Sequence, residues 1–64
     1  MSQSVYEILK YFHFAHLPPH LQEISKPFYE LAKVVAEREP DKGETKWALR
    51  KLLEAKDCAV RAML

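Results

Sequence analysis

His13, His16 and His20 are separated by three and four residues, a spacing that on one continuous helix stacks imidazoles on a common face as metal ligands. Leu17-Pro18-Pro19 lies between them, and the residue before each proline is pushed out of the helical region. The alignment is therefore expected to break, leaving solvated loop or interface histidines and no metal site. Cys58, the only cysteine, stands among alanines and reads as a small packed hydrophobe rather than a redox centre. The sequence has no Gly-rich phosphate loop, no H-E-x-x-H, no C-x-x-C and no nucleophile–base arrangement, so no catalysis is expected. Two side chains stay open. Tyr11 is either a half-buried aromatic sealing an interface or a platform for a nucleobase, a contact worth about 1–3 kcal/mol. Lys26 either pairs with Glu23 or Glu30 on its own helix or supplies an ammonium to a phosphate. Asp57 with Arg61, and Arg50 with Glu54, are expected as surface pairs, and Trp47 as an anchor against a second helix or another chain.

Helices have to position these groups. A single glycine and a sustained helical period exclude most β architectures. Ser4-Val5-Tyr6-Glu7 matches a capping box, followed by Val5, Ile8, Leu9 and Phe12 on one face, so a short helix is expected over about 4–12. Pro18 and Pro19 suit the first turn of a second helix. Its apolar residues Leu21, Ile24, Phe28, Leu31 and Val35 are spaced 3-4-3-4 as an a/d seam, predicting a helix over about 18–38, kinked at Pro27 where the bond to Glu23 is lost. Glu39-Pro40-Asp41-Lys42-Gly43 is a turn, with Asp41 and Glu44 as a second capping box or Gly43 as a competing cap. A third helix is expected over about 44–63, with a small-residue seam at Ala48, Leu52, Ala55, Ala59 and Ala62. Beside it runs a stripe of Leu49, Leu53, Val60 and Leu64. Matched helices with a short link form an antiparallel hairpin.

The chain has 64 residues, 48% apolar and 30% charged, with ten Lys/Arg against nine Asp/Glu. A domain of this size buries only about 60% of its unfolded surface and gains stability from disulfides, a metal or further copies of itself. A lone cysteine excludes an internal disulfide. The two stripes on the third helix and the extra apolar residues Tyr29, Ala32, Val34 and Ala36 on the second exceed what one hairpin hides, so a homo-oligomer is expected. The net charge of +1 lacks the basic excess of a DNA binder. No apolar run approaches the roughly 20 residues of a membrane span. Met1-Ser2-Gln3-Ser4-Val5 lacks the basic start and apolar core of a signal peptide. With an unpaired cysteine, these features point to the cytosol.

Three segments occur together: Tyr11-Phe12-His13-Phe14, Leu21 through Lys26-Pro27-Phe28, and Ala48 through Arg61. Their co-occurrence resembles the phage anti-CBASS nucleotide-sponge family over essentially the whole chain. The resemblance implies sequestration rather than turnover. Such proteins bind the cyclic dinucleotides of bacterial immune signalling, cyclic GMP–AMP among them, and cyclic trinucleotides at a separate site, in the cytoplasm of the infected host. It implies an all-α fold, one short helix followed by a long antiparallel pair in a single domain over 1–64, assembled as a homohexamer with no cofactor. Pockets lie between chains, with an aromatic on the base and a lysine at the phosphates. Those roles fall on Tyr11 and Lys26, with Phe12, Pro27 and Phe28 as candidate pocket walls. A ligand with two phosphates asks for little net charge, and a two-fold interface presents each contact twice.

Overall fold

The computed structural model describes residues 4–64, whose regular elements are all helices. Helix α1, Val5–Leu9, starts as the sequence predicts: Ser4 is extended and its hydroxyl accepts the Glu7 amide at 3.1 Å. Instead of continuing to residue 12 as an α-helix, the chain tightens into a 3₁₀ turn, Lys10–Phe12, and leaves it through an extended His13. The tighter winding has a short reach, and it delivers Phe12 into the core with no exposed surface.

Helix α2, Pro19–Arg38, has Pro18 as its cap and Pro19 at the first position. The missing amide of Pro19 costs nothing there. The connection before it is held by a side chain: Gln22 Nε2 donates to the Leu17 carbonyl at 2.7 Å and the Ala15 carbonyl at 3.3 Å. The helix runs on through Pro27 as one element, because residues on both sides of the proline are buried against the rest of the chain, Ser25 and Ala32 among them.

Helix α3, Gly43–Ala62, starts differently from expectation. Its cap is Lys42, with no side-chain cap bond, so neither Asp41 nor Gly43 caps it. Thr45 takes over part of the task from inside the first turn, its hydroxyl donating to the Glu39 carbonyl at 2.6 Å across the link. That bond satisfies a carbonyl at the end of α2, which no longer needs a glycine cap.

The 20-residue helices α2 and α3 fold back on each other in a body of 34 × 19 × 16 Å. The core joins Val5, Ile8 and Phe12 of the N-terminal segment to Ala32 and Ala36 of α2 and Leu49 of α3. Both helices are rotated from the expected registers. On α2 the buried positions are Leu21, Ser25, Ala32 and Ala36, while Leu31 is 51% exposed. On α3 Thr45 and Leu49 are buried with Leu52, Leu53 and Lys56 partly so, and Ala48, Ala55 and Ala62 are exposed. The physical reason lies in α2. Alanines at 32 and 36 make the flat surface on which Phe12, Ile8 and Leu49 fit, so large residues of the partner elements are drawn there and the a/d seam is displaced to its edge.

The N-terminal segment covers one side of the hairpin, where His13 and Phe14 meet the Tyr29 ring edge-on at centroid distances of 6.0 and 5.7 Å. The displaced seam, Ile24, Phe28, Leu31 and Val35, lies on the other side. By helical spacing the exposed α3 alanines share that side, because the two helices run in opposite directions.

Candidate functional site

Tyr11 sits on the 3₁₀ turn, 55% exposed, while its neighbour Phe12 is fully buried. Burying Phe12 turns the preceding side chain outward, toward the flank of α3. Lys56 fixes the distance between them. Its ammonium donates to the Tyr11 carbonyl at 2.9 Å and pairs with Asp57 at 3.0 Å, and its side chain is only 12% exposed. A lysine on the inward face of α3 thus spends its charge on the backbone of the turn that carries Tyr11.

Two grooves meet at Tyr11. The first, ≈ 400 Å³, lies between the 3₁₀ turn, residues 13–17 and the C-terminal half of α3. Lys10, His13, His16, Lys56 and Arg61 face it, with Asp57 as its carboxylate. Asp57 is engaged by Lys56. Arg61 does not pair with Asp57 as expected; its Nη2 donates to the Cys58 sulfur at 3.4 Å. A thiol is a weak acceptor, so most of the guanidinium's donor capacity stays available. The groove is therefore locally cationic on a chain whose net charge is only +1.

The second groove, ≈ 240 Å³, also has Tyr11 in its wall and is lined further by Ile8, Trp47, Arg50, Lys51, Leu53 and Glu54. Trp47 is 60% exposed, so within one chain it is not the anchor against α2, one of the two roles expected of it, the other being an anchor against another chain. Arg50 lies 6.0 Å from its ring centroid, a cation–π distance, in place of the expected pair with Glu54.

The remaining candidates are dispersed within one chain. Lys26 and Pro27 are exposed on α2 and line neither groove. Lys26 makes no ion pair with Glu23 or Glu30 among the described residues. Phe28 is partly buried against the core. Phe12 is itself core and offers a ligand no surface in this chain. The three histidines do not converge on a metal site among the described residues.

Sequence reading missed Lys56 and Arg61 as groove residues. Lys56 carried a usable signal: it falls at helical spacing with Leu49, Leu52, Leu53 and Val60, and a lysine on an apolar face needs a partner. No such signal marked Arg61, for which Asp57 four residues earlier looked a sufficient partner. No helix among the described residues is long and apolar enough to cross a membrane. Comparison of the chain with protein-family models, with curated proteins and with solved structures gives no match.

Proposed function

We propose that this chain binds and sequesters cyclic dinucleotides such as cyclic GMP–AMP, withholding them from the effectors of bacterial CBASS immunity without cleaving them. The observation that carries this reading is Tyr11: an exposed aromatic held by its own backbone at the lip of a cationic groove. A nucleobase stacks on such a face whatever its identity, and the adjoining cations meet its phosphates. The protein acts as a homo-oligomer, a hexamer by resemblance, in the host cytoplasm. Lys26, exposed and outside both grooves at Tyr11 within one chain, then joins the pocket from a neighbouring copy, with Pro27 and Phe28 beside it. Cyclic trinucleotides are a second ligand class. Inhibition by this route is stoichiometric and depends on copy number and slow release.

Calorimetric titration with cyclic GMP–AMP, followed by denaturation and mass analysis of the released ligand, tests the reading. Saturable binding with recovery of the unmodified nucleotide is expected. Linear product means an enzyme, and no binding at micromolar ligand defeats the proposal.

One observation favours a second reading, a helical module that blocks a host protein. The hairpin side opposite α1 leaves Leu31 and Val34 more than half exposed. If that side docks a host protein, Leu31→Asp abolishes the biological effect while nucleotide binding is unchanged.

A further inference from the structure

Lys56 is a lysine on the inward face of a helix. It falls at helical spacing with Leu49, Leu52, Leu53 and Val60, and its side chain is 12% exposed. A long aliphatic stem suits that surface, and the charged head has to find partners at its edge. Both partners belong to the protein: the Tyr11 carbonyl at 2.9 Å and the Asp57 carboxylate at 3.0 Å. The obvious role for an ammonium lining a cationic groove is to meet a phosphate. The geometry points to a different one: Lys56 is a positioning residue that sets Tyr11 as a preformed platform and takes no phosphate itself.

The Tyr11 carbonyl lies in a 3₁₀ turn that stops at an extended His13, and the last carbonyls of a helical turn need partners from outside the winding. That carbonyl also belongs to the peptide plane leading into Phe12, which is fully buried. The plane is thus held twice, by Phe12 in the core and by Lys56 at its oxygen. Holding the plane fixes the ψ angle of Tyr11, and with it the direction in which the exposed ring leaves the backbone. A ring held in place before a base arrives loses less freedom on binding. Asp57 balances the charge that Lys56 brings to this edge of the core. The inference rests on the reading of the chain as a nucleotide binder, and it adds a residue 45 positions from Tyr11 that no ligand has to touch.

Lys56→Met keeps the stem and removes the ammonium. With the full chain, calorimetry is expected to show cyclic GMP–AMP binding weakened about twofold to tenfold. Repeated at several salt concentrations, the slope of log affinity against log salt should match wild type, because the number of cations at the phosphates is unchanged. In the free protein, amide exchange should quicken at His13, whose N–H closes the turn on the Lys10 carbonyl at 3.3 Å. A flatter salt slope overturns the inference, since Lys56 then meets the phosphates itself. Affinity like wild type overturns it as well. If the variant does not fold, the wild-type chain decides: the Lys56 ammonium resonance should stay in place as cyclic GMP–AMP saturates the protein, and a shift on saturation overturns the inference. If wild type binds no cyclic GMP–AMP, the sponge reading falls and exchange at His13 decides alone. Quickened exchange then upholds the hold of Lys56 on Tyr11, and unchanged exchange refutes it.

Discussion

Tyr11, Lys26 and Ser25 show how different the demands on single side chains of a short chain are. Tyr11→Ala and Lys26→Ala each remove an exposed group and are expected to weaken cyclic dinucleotide binding at least tenfold. Because neither ring nor ammonium is in the core, the melting temperature should move by no more than a few degrees. Isotherms indistinguishable from wild type for both variants would remove these residues from the site. Ser25 is the reverse case. Its hydroxyl is fully buried and has no hydrogen-bond partner among the described residues. A buried unpaired hydroxyl costs about 1–3 kcal/mol, and alanine is the better helix former. Ser25→Ala is therefore expected to stabilise the fold by about 1 kcal/mol, a rise of about 4–8 °C for a domain of this size. A fall in melting temperature would mean that the hydroxyl has a partner in the assembled protein.

The start of α3 has no side-chain cap bond. Lys42 caps it without a side-chain bond, and Gly43 occupies its first turn with negative φ and open space where a side chain would stand. Glycine adds unfolded-state entropy there without using its conformational freedom. Gly43→Ala should stabilise by about 0.4–1 kcal/mol, measured by urea denaturation with an unchanged slope. A destabilised variant would show that the turn has to open at this point. The entry to α2 relies on Gln22 instead, whose amide holds the Leu17 and Ala15 carbonyls. The loop it fastens carries His16 and Leu17, so Gln22→Ala should loosen the wall of the cationic groove. Faster hydrogen exchange over residues 13–18, with α3 unaffected, is the expected sign. Helix existence, and the extent of the two long helices, were legible from periodicity and proline placement; the early end of α1 at Leu9 was not. The caps of α3 and the clasp of Gln22 were not, because each depends on which backbone carbonyls meet across a loop.

A chain of 64 residues at typical stability has only about 3–10 kcal/mol to lose. Leu49 is wholly buried beneath Phe12 and Ile8, and Leu49→Ala is expected to remove about 2–5 kcal/mol. In circular dichroism that variant should be largely unfolded at 37 °C, whereas Ala55→Ser on the exposed side of α3 should not. The apolar side opposite α1 fits association with further copies. Light scattering at low micromolar concentration should give a mass well above one chain; a mass of one chain defeats that expectation. Leu31→Asp, on the same side, should then shift the mass downward.

Composition and spacing alone determined that the molecule is helical, where its two long helices run, and that Ser4 starts the first, short one. These properties are local: they depend on residues three or four apart and on proline's missing amide. Tertiary structure decided which stripe faces inward. The sequence offered two on each long helix, and both satisfy the same period. The choice went to the alanines of α2, because only small residues let Phe12, Ile8 and Leu49 close over them. That rotation placed Trp47 outside, turned Lys56 onto the backbone of Tyr11, and left Arg61 facing a groove. Such contacts join residues 45 positions apart, and no spacing rule along one helix reaches that far.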